Sequence, residues 1–182
     1  ANVTVVEVLP KILPVEDDEI CALAHKAFVD QGITIHTSAK VNALKKEKNS
    51  VSATVAMDSK CFQIEAERVI LAVGIVGNVE ELGIEKTAVK VKDTHVITDQ
   101  WSATGEPGVY AIGDLCGPPW LAHKAMHEGI VCVEKIAGQA GVHPLDVSRV
   151  PGCTYCRPQV ASIGLTEQAA ADKGLKVRIG RF

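Results

Sequence analysis

The sequence lacks any excess of basic residues: 19 Lys and Arg stand against 22 Asp and Glu, for a net charge of −3, so nothing points to nucleic acid as a partner. Long hydrophobic runs are missing as well. Val69–Val73 is among the longest and is too short to cross a bilayer, so no membrane partner is expected. Ala1-Asn2-Val3 does not resemble a secretory signal, and neither internal repeats nor low-complexity stretches occur. The six cysteines, at 21, 61, 116, 132, 153 and 156, follow no secreted disulfide framework and sit mostly in apolar contexts, which favours a reducing, cytoplasmic compartment. What is present, 182 residues of which 47% are hydrophobic, describes a soluble globular chain of one ordinary domain or two small ones. The chain opens in what reads as the middle of a fold, without an initiator Met, as a piece of a longer protein would.

Cys153-Thr154-Tyr155-Cys156 is a genuine CxxC. A thioredoxin-like pair needs a helix N-terminus to lower a thiol pKa, yet Arg157-Pro158 and the strand-like 159–163 follow instead. A zinc site would need a second ligand pair at suitable spacing, and none exists. These cysteines are expected to belong to a strand and its turn, with no metal bound. His123 and His127 lie one helical turn apart, again with no third ligand apparent.

The stretch 105–138, GEPGVYAIGDLCGPPWLAHKAMHEGIVCVEKIAG, is the most informative. It predicts a short strand over Val109–Ile112, ended by Gly113-Asp114, and a helix opening near Pro118 or Pro119. Ala122, Ala125, Met126, Gly129, Ile130, Val133 and Ile136 repeat on one face at helical period, and Gly138 supplies the stop. At such a corner a glycine admits close approach of a ligand, and the Asp114 carboxylate can accept hydrogen bonds from two neighbouring hydroxyls. The free N–H groups of the first helical turn favour an oxygen on which negative charge develops.

Upstream, Val3–Val8 reads as a strand buried on both faces, ending at Glu7. A helix follows from an N-cap at Asp17 or Asp18 through Val29, with a stripe at Ile20, Leu23, Ala24, Ala27 and Phe28, and Gly32 stops it. A strand over 33–36 completes a β-α-β unit, in which His36 alternates outward to the surface. Period-two patterning from Ala39 through Ile64 predicts a three-stranded meander, and Val69–Gly74 a further doubly buried strand. In a dinucleotide-binding fold, an acid ending the second strand accepts hydrogen bonds from the adenine ribose and repels a 2′-phosphate, so Glu7 points to NAD rather than NADP. Short strands and turns are expected over 82–99, a linker over 139–144, and a strand from Val150 leading to a capped helix start at Thr166-Glu167.

YAIGD followed by GPPWLAHKAMHEG resembles the second flavin-binding motif of the flavoprotein disulfide reductases, above all the dihydrolipoamide dehydrogenase branch, where LAHKA-x-x-EG is typical. The resemblance implies an α/β chain: a partial Rossmann-like NAD-binding domain with its β-meander (1–77), a central FAD-contacting domain (78–148) and the start of an α+β dimerisation domain (149–182). It implies that Asp114 holds ribityl hydroxyls of FAD and that Trp120, Leu121, Ala122 and His123 meet the pyrimidine side of the flavin. It also implies that Val41 lies beside the adenine of NAD and that Gly74 lets the chain pass close to that cofactor. After this glycine many relatives carry an Arg-rich turn. Here Ile75-Val76-Gly77-Asn78 stands instead, which removes a cationic neighbour.

For the whole enzyme the resemblance implies oxidation of protein-bound dihydrolipoyl groups, with electrons passing through a disulfide and FAD to NAD. Its partners would be a lipoyl-bearing acyltransferase of a 2-oxo acid dehydrogenase complex and a second copy of itself. The alternatives are a glutathione- or mercuric-reductase-like enzyme and a noncatalytic nucleotide-binding module. The family's FAD glycine fingerprint, redox Cys pair and C-terminal His-Pro segment have no counterpart here, so no catalytic residue is assigned and the chain alone is expected to be inactive.

Overall fold

The β-branched Thr4–Val6 forms β1, which pairs in parallel with β2, Thr34–His36, in the register Thr4↔Thr34 and Val6↔His36. Helix α1, Asp18–Asp30, links them, giving the expected β-α-β unit. The computed structural model that shows this describes all 182 residues, in two units: residues 1–72 with 153–182, and residues 73–152.

Several expectations for the first unit fail. Strand β1 is shorter than Val3–Val8, and Val3 and Val5 are exposed, because its sheet holds only β2 and no further strand covers it. His36 is half-buried rather than on the surface, its ring 5.2 Å from that of Phe62. Helix α1 buries Cys21 and Ala24, whereas Ile20 and Leu23 of the expected stripe are exposed, so its inward face is rotated by about one residue. The Cys21 thiol fixes that rotation by donating to the carbonyls of Leu13 and Glu16. Asp17 occupies the N-cap position without capping its own helix, since its Oδ1 accepts the Glu167 N–H at 2.7 Å instead.

The meander is as the alternation predicts. Strands β3 (Ala39–Lys46), β4 (Val51–Met57) and β5 (Lys60–Ala66) pair antiparallel in that order, with a bulge between Val41 and Ala43. One face buries Ala39, Ala53 and Val55, and Val6, Met57, Phe62 and Ile64 pack against them. Period two puts these side chains on one side, and a slip of one residue would turn all of them outward.

Val69–Gly74 departs most from expectation. It forms no strand, and Ile70 and Val73 are 90% and 92% exposed. A parallel strand needs ladder partners and helices over its faces, and no strand of this chain pairs with the segment. Further on, within the expected short strands and turns, Ile84–Lys86 forms a 3₁₀ turn. Strands β6 (Val91–Lys92) and β7 (His95–Val96) make a short antiparallel pair. Gly77 is tied there by its N–H to Thr94 Oγ1 at 3.0 Å, and a Cβ on it would lie 2.1 Å from the Thr94 carbonyl oxygen.

Helix α2 spans Ala122–Ile136, three residues after Pro119, and Gly138 follows with φ +68°. Beyond it, β8 (Gly152–Thr154) and β9 (Val160–Ser162) form a two-stranded sheet, and α3 (Glu167–Asp172) is capped by Thr166, whose hydroxyl accepts the Ala169 N–H at 3.1 Å. Cys153 lies on β8 and Cys156 in the following turn, where its thiol donates to the Thr154 and Pro158 carbonyls. Strand β9 and α3 are tied to the start of α1 by Ser162 to Glu16 Oε1 and by the Asp17 contact. No helix is long and apolar enough to cross a membrane.

Candidate functional site

The corner begins with a polar brace. Asp99 Oδ1 accepts the N–H groups of Trp101 and Ala103, and Ala103 bridges Tyr110 across an otherwise irregular ribbon. Val109–Ile112 is held by this one bridge and not by the expected strand: the Ala111 and Thr104 N–H groups cross to the Ser102 and Val109 carbonyls, while the Ser102 and Val109 N–H groups turn instead to the carbonyls of Asp99 and Glu106. The chain then enters a 3₁₀ turn at Gly113–Cys116.

Gly113 is buried, with φ +75°, and a Cβ there would lie 3.1 Å from the Cβ of Ala125 on α2. At Gly129 a Cβ would meet Ile112 at 3.2 Å. Small residues one helical turn apart thus let α2 close on the corner. The periodic face expected for α2 is split accordingly: Ala125 and Gly129 face the corner, while Met126, Ile130, Val133 and Ile136 are exposed.

Two charged side chains not singled out from the sequence complete the packing. Lys124 is 2% exposed, and its Nζ meets Glu128 Oε1 at 3.0 Å, the Gly113 carbonyl at 3.3 Å and the Gly117 carbonyl at 3.1 Å. Glu128 Oε2 accepts the Gly113 N–H at 2.7 Å. An ammonium has three donors, and all three are used. Burying such a pair costs several kcal/mol per ion before the attraction and hydrogen bonds offset it, so the satisfied geometry is what makes burial tolerable. No buried side-chain nitrogen or oxygen lacks a partner. Both stand in the LAHKA-x-x-EG run, but a Lys and a Glu at i,i+4 usually mark a solvated helix face, so the motif alone gives them no role.

Asp114, between the two anchored glycines, is exposed, and its carboxylate makes no hydrogen bond or ion pair within the chain. The first turn of α2 has no side-chain cap and no acidic residue, so its amide N–H groups are open. A free carboxylate and an uncapped helix start on one braced corner suit a ligand that offers hydroxyls and an electron-rich oxygen. Trp120 is held by His95: the His95 Nδ1–H donates to the Asp93 carbonyl at 2.8 Å, leaving Nε2 to accept the Trp120 indole N–H at 3.4 Å. His123 meets the Pro151 carbonyl through Nε2 at 2.8 Å, Leu121 is half-buried, and Ala122 is exposed.

Behind the turn lies a cleft of about 190 Å³ lined by Thr98, Asp99, Ser102, Cys116, Lys124 and Glu128. Burial pushes the Cys116 thiol pKa up, and the Glu128 carboxylate adds to the shift. Burial likewise raises that of Cys132 on α2. Neither thiol is activated as a nucleophile.

The remaining expected site residues lie at strand ends and loops. Glu7 follows β1, with its N–H donating to the His36 carbonyl and its Oε1 accepting the Leu9 N–H at 2.7 Å. One carboxylate oxygen thus supports the local turn. Val41 is exposed on β3 at the bulge, and Gly74 is exposed with φ +129° and open space where a Cβ would be. The structure brings Asp114 and 120–123 together at one corner, with Glu7 and Val41 in the other unit. No group of three or more His, Cys, Asp or Glu side chains is placed to hold a metal ion.

The chain is 55% identical over 182 residues to a dihydrolipoyl dehydrogenase of Rhizobium etli and 44% identical over 183 residues to one of Zymomonas mobilis. All of the chain is covered in both, but it spans only 38% and 39% of these relatives' own lengths. Among solved structures it resembles LpdA of Mycobacterium tuberculosis (TM-score 0.85, 24% identity, 95% of this chain and 37% of that one). It also resembles the HOCl-induced flavoprotein disulfide reductase RclA of Escherichia coli (TM-score 0.82, 23% identity, 96% of this chain and 39% of that one). At these identities the two structures establish the α/β fold. The profile described as pyridine nucleotide-disulphide oxidoreductase matches residues 1–129, and the dimerisation domain of the same family matches residues 150–182. The chain belongs to the pyridine nucleotide-disulphide oxidoreductase family.

Proposed function

We propose that this chain is the central portion of a dihydrolipoyl dehydrogenase, which oxidises protein-bound dihydrolipoyl groups and passes the electrons to NAD⁺. The observation that carries the reading is the unpartnered Asp114 carboxylate on its braced turn, in a chain 55% identical to a dihydrolipoyl dehydrogenase over its whole length. That identity favours this reading over a glutathione- or mercuric-reductase-like enzyme and over a noncatalytic nucleotide-binding module.

The residues of the corner fit FAD. Asp114 would accept hydrogen bonds from ribityl hydroxyls, and the backbone from Trp120 through Leu121 and Ala122 to His123 would face the pyrimidine edge, where uncapped amides favour negative charge. When bound, the flavin supplies two-electron exchange between a dithiol and a nicotinamide. This chain's own part is to orient the ring and fix its electrostatics. Glu7, with one carboxylate oxygen already on Leu9, would use the other for the adenine ribose of NAD. Val41 would lie against the adenine, and Gly74 would let the backbone approach the cofactor.

Functional boundaries near 77 and 148 go with this reading, as do a homodimer through the segment from 149 onward, a lipoyl-bearing acyltransferase as partner and a cytoplasmic location. The test is Asp114→Ala in the full-length enzyme. We expect FAD to leave more readily on dilution, read by flavin fluorescence, with the fold unchanged by circular dichroism. Equally tight flavin would return Asp114 to the role of a turn residue. A dihydrolipoamide assay with NAD⁺ then separates the enzyme from a nucleotide-binding module. In the same protein Glu7→Ala should weaken NAD⁺ binding by roughly 1–3 kcal/mol, the range for losing a hydrogen bond to a charged group.

A further inference from the structure

The Asp114 carboxylate makes no hydrogen bond or ion pair within the chain, so its position depends on the backbone that carries it. That backbone is gripped from both ends by one ion pair. Glu128 Oε2 takes the Gly113 N–H at 2.7 Å, Lys124 Nζ takes the Gly113 carbonyl at 3.3 Å and the Gly117 carbonyl at 3.1 Å, and the two charges meet at 3.0 Å. Packing alone does not explain this arrangement. Ala125 and Gly129 already set how closely α2 approaches Ile112 and Gly113, and apolar side chains at 124 and 128 could fill the same space without the desolvation penalty of two charges. What apolar side chains could not do is hold three backbone groups of a short turn in fixed directions.

We propose that Lys124 and Glu128 are positioning residues for Asp114: they lock the Gly113–Gly117 turn so that its carboxylate stands free at a fixed place, and through it they govern how firmly the flavin is held. This rests on the reading of Asp114 given above. Neither side chain need touch the flavin, since Lys124 is spent on the turn and on Glu128.

The experiment is a double-mutant cycle in the full-length enzyme with Glu128→Gln, Asp114→Ala and both together, reading the rate of FAD release alongside the thermal midpoint. Glu128→Gln keeps an acceptor for the Gly113 N–H and loses the charge opposite Lys124. It should release FAD about tenfold faster than the unaltered enzyme, the factor that goes with losing one charge-assisted contact. In the Asp114→Ala background the same change should alter release by less than about twofold, because the group it positions is gone. A merely structural pair would lower the thermal midpoint in both backgrounds and speed release equally in both, which would overturn the proposal. Wild-type release in Glu128→Gln would overturn it too. If Asp114→Ala itself retains flavin normally, the reading of Asp114 falls and the positioning role with it, so the two failures are distinguishable. A second measurement needs no variant: the Gly113 amide should exchange with deuterium at least a hundredfold more slowly than an open amide, and rapid exchange would mean that no lock exists.

Discussion

Two apolar runs in this chain end in glycine, and the more hydrophobic of them is the less well bonded. Val69-Ile70-Leu71-Ala72-Val73-Gly74 has the composition of a buried parallel strand, yet it forms no ladder and leaves Ile70 and Val73 open. Val109-Tyr110-Ala111-Ile112-Gly113 is shorter and includes a tyrosine, yet it leads into a turn in which Gly113 and Gly117 are bonded to α2. Apolar content sets what a segment would gain from burial, whereas its place is fixed by the polar groups that neighbours satisfy. At the second run those neighbours are Asp99, Lys124 and Glu128, all within this chain. At the first no strand partner is present.

The contrast is broken most directly at Lys124. Lys124→Met would leave the Glu128 carboxylate, itself only 16% exposed, without its counter-charge, and removing one partner of a buried pair typically costs about 3–5 kcal/mol. Urea unfolding of this chain should show a loss of that order with little change in slope. A loss below about 1 kcal/mol would mean the corner is no better anchored than the exposed run.

Gly77 tests whether the far end of the first run is pinned. An alanine there would press its Cβ against the Thr94 carbonyl oxygen, 2.1 Å away, and a backbone atom cannot swing aside as a side chain can. The expected cost is about 1–3 kcal/mol, as for overpacking in general. Gly74→Ala is the informative control: it meets no atom within 4 Å, so only its φ of +129° opposes the substitution. Equal stability of Gly77→Ala and the unaltered chain would show that the Thr94 contact does not persist in solution.

How much of this was legible in advance follows the same physics. The meander was, because alternation over Ala39–Ile64 is a local signal that one buried face enforces. The helices were, through their periodicity and their glycine stops, but which face turns inward was not. In α1 the Cys21 thiol and in α2 the Lys124–Glu128 pair decide that, through bonds to loop carbonyls and amides distant from the helix face itself. Asp114 is legible because the long motif around it resembles a flavin site, whereas an isolated Gly-Asp reads as a turn or a helix cap. Lys124 and Glu128 were hidden because a charged i,i+4 pair on a helix is ordinarily solvated. The fold of Val69–Gly74 is not legible in the sequence, because doubly buried strands are recognised by composition, while their existence depends on partners that composition does not reveal.

A smaller effect sharpens the comparison through pH. Burial, then the Glu128 charge, raises the Cys116 thiol above its ordinary value of 9.0, and Thr98 and Lys124 only partly oppose the shift. A thiol whose pKa is raised on folding contributes stability that is full below the unfolded value and is lost as pH climbs through the folded one. Unfolding of this chain should therefore be insensitive to Cys116 below pH 9.0 and steepen above it, and Cys116→Ser should flatten the alkaline limb. Alkylation by iodoacetamide near neutrality should mark the exposed Cys61 and Cys153 well before Cys116. Early labelling of Cys116 would show that the turn opens readily.

The smallest expected effect falls on the most hydrophobic run. Ile70→Ser and Val73→Ser replace side chains that are 90% and 92% exposed, so little apolar surface returns to water on unfolding and no cavity forms. Each should shift the stability of this chain by no more than about 0.5 kcal/mol, the range of surface substitutions. If the same substitutions made in the full-length enzyme cost about 2–3 kcal/mol, the difference would measure burial supplied by chain beyond these residues, as expected for fully covering an aliphatic side chain. If instead they cost that much in the 182-residue chain itself, the run is paired in solution. The contrast with the Gly113 corner would then be one of which partner is used, with satisfaction achieved at both.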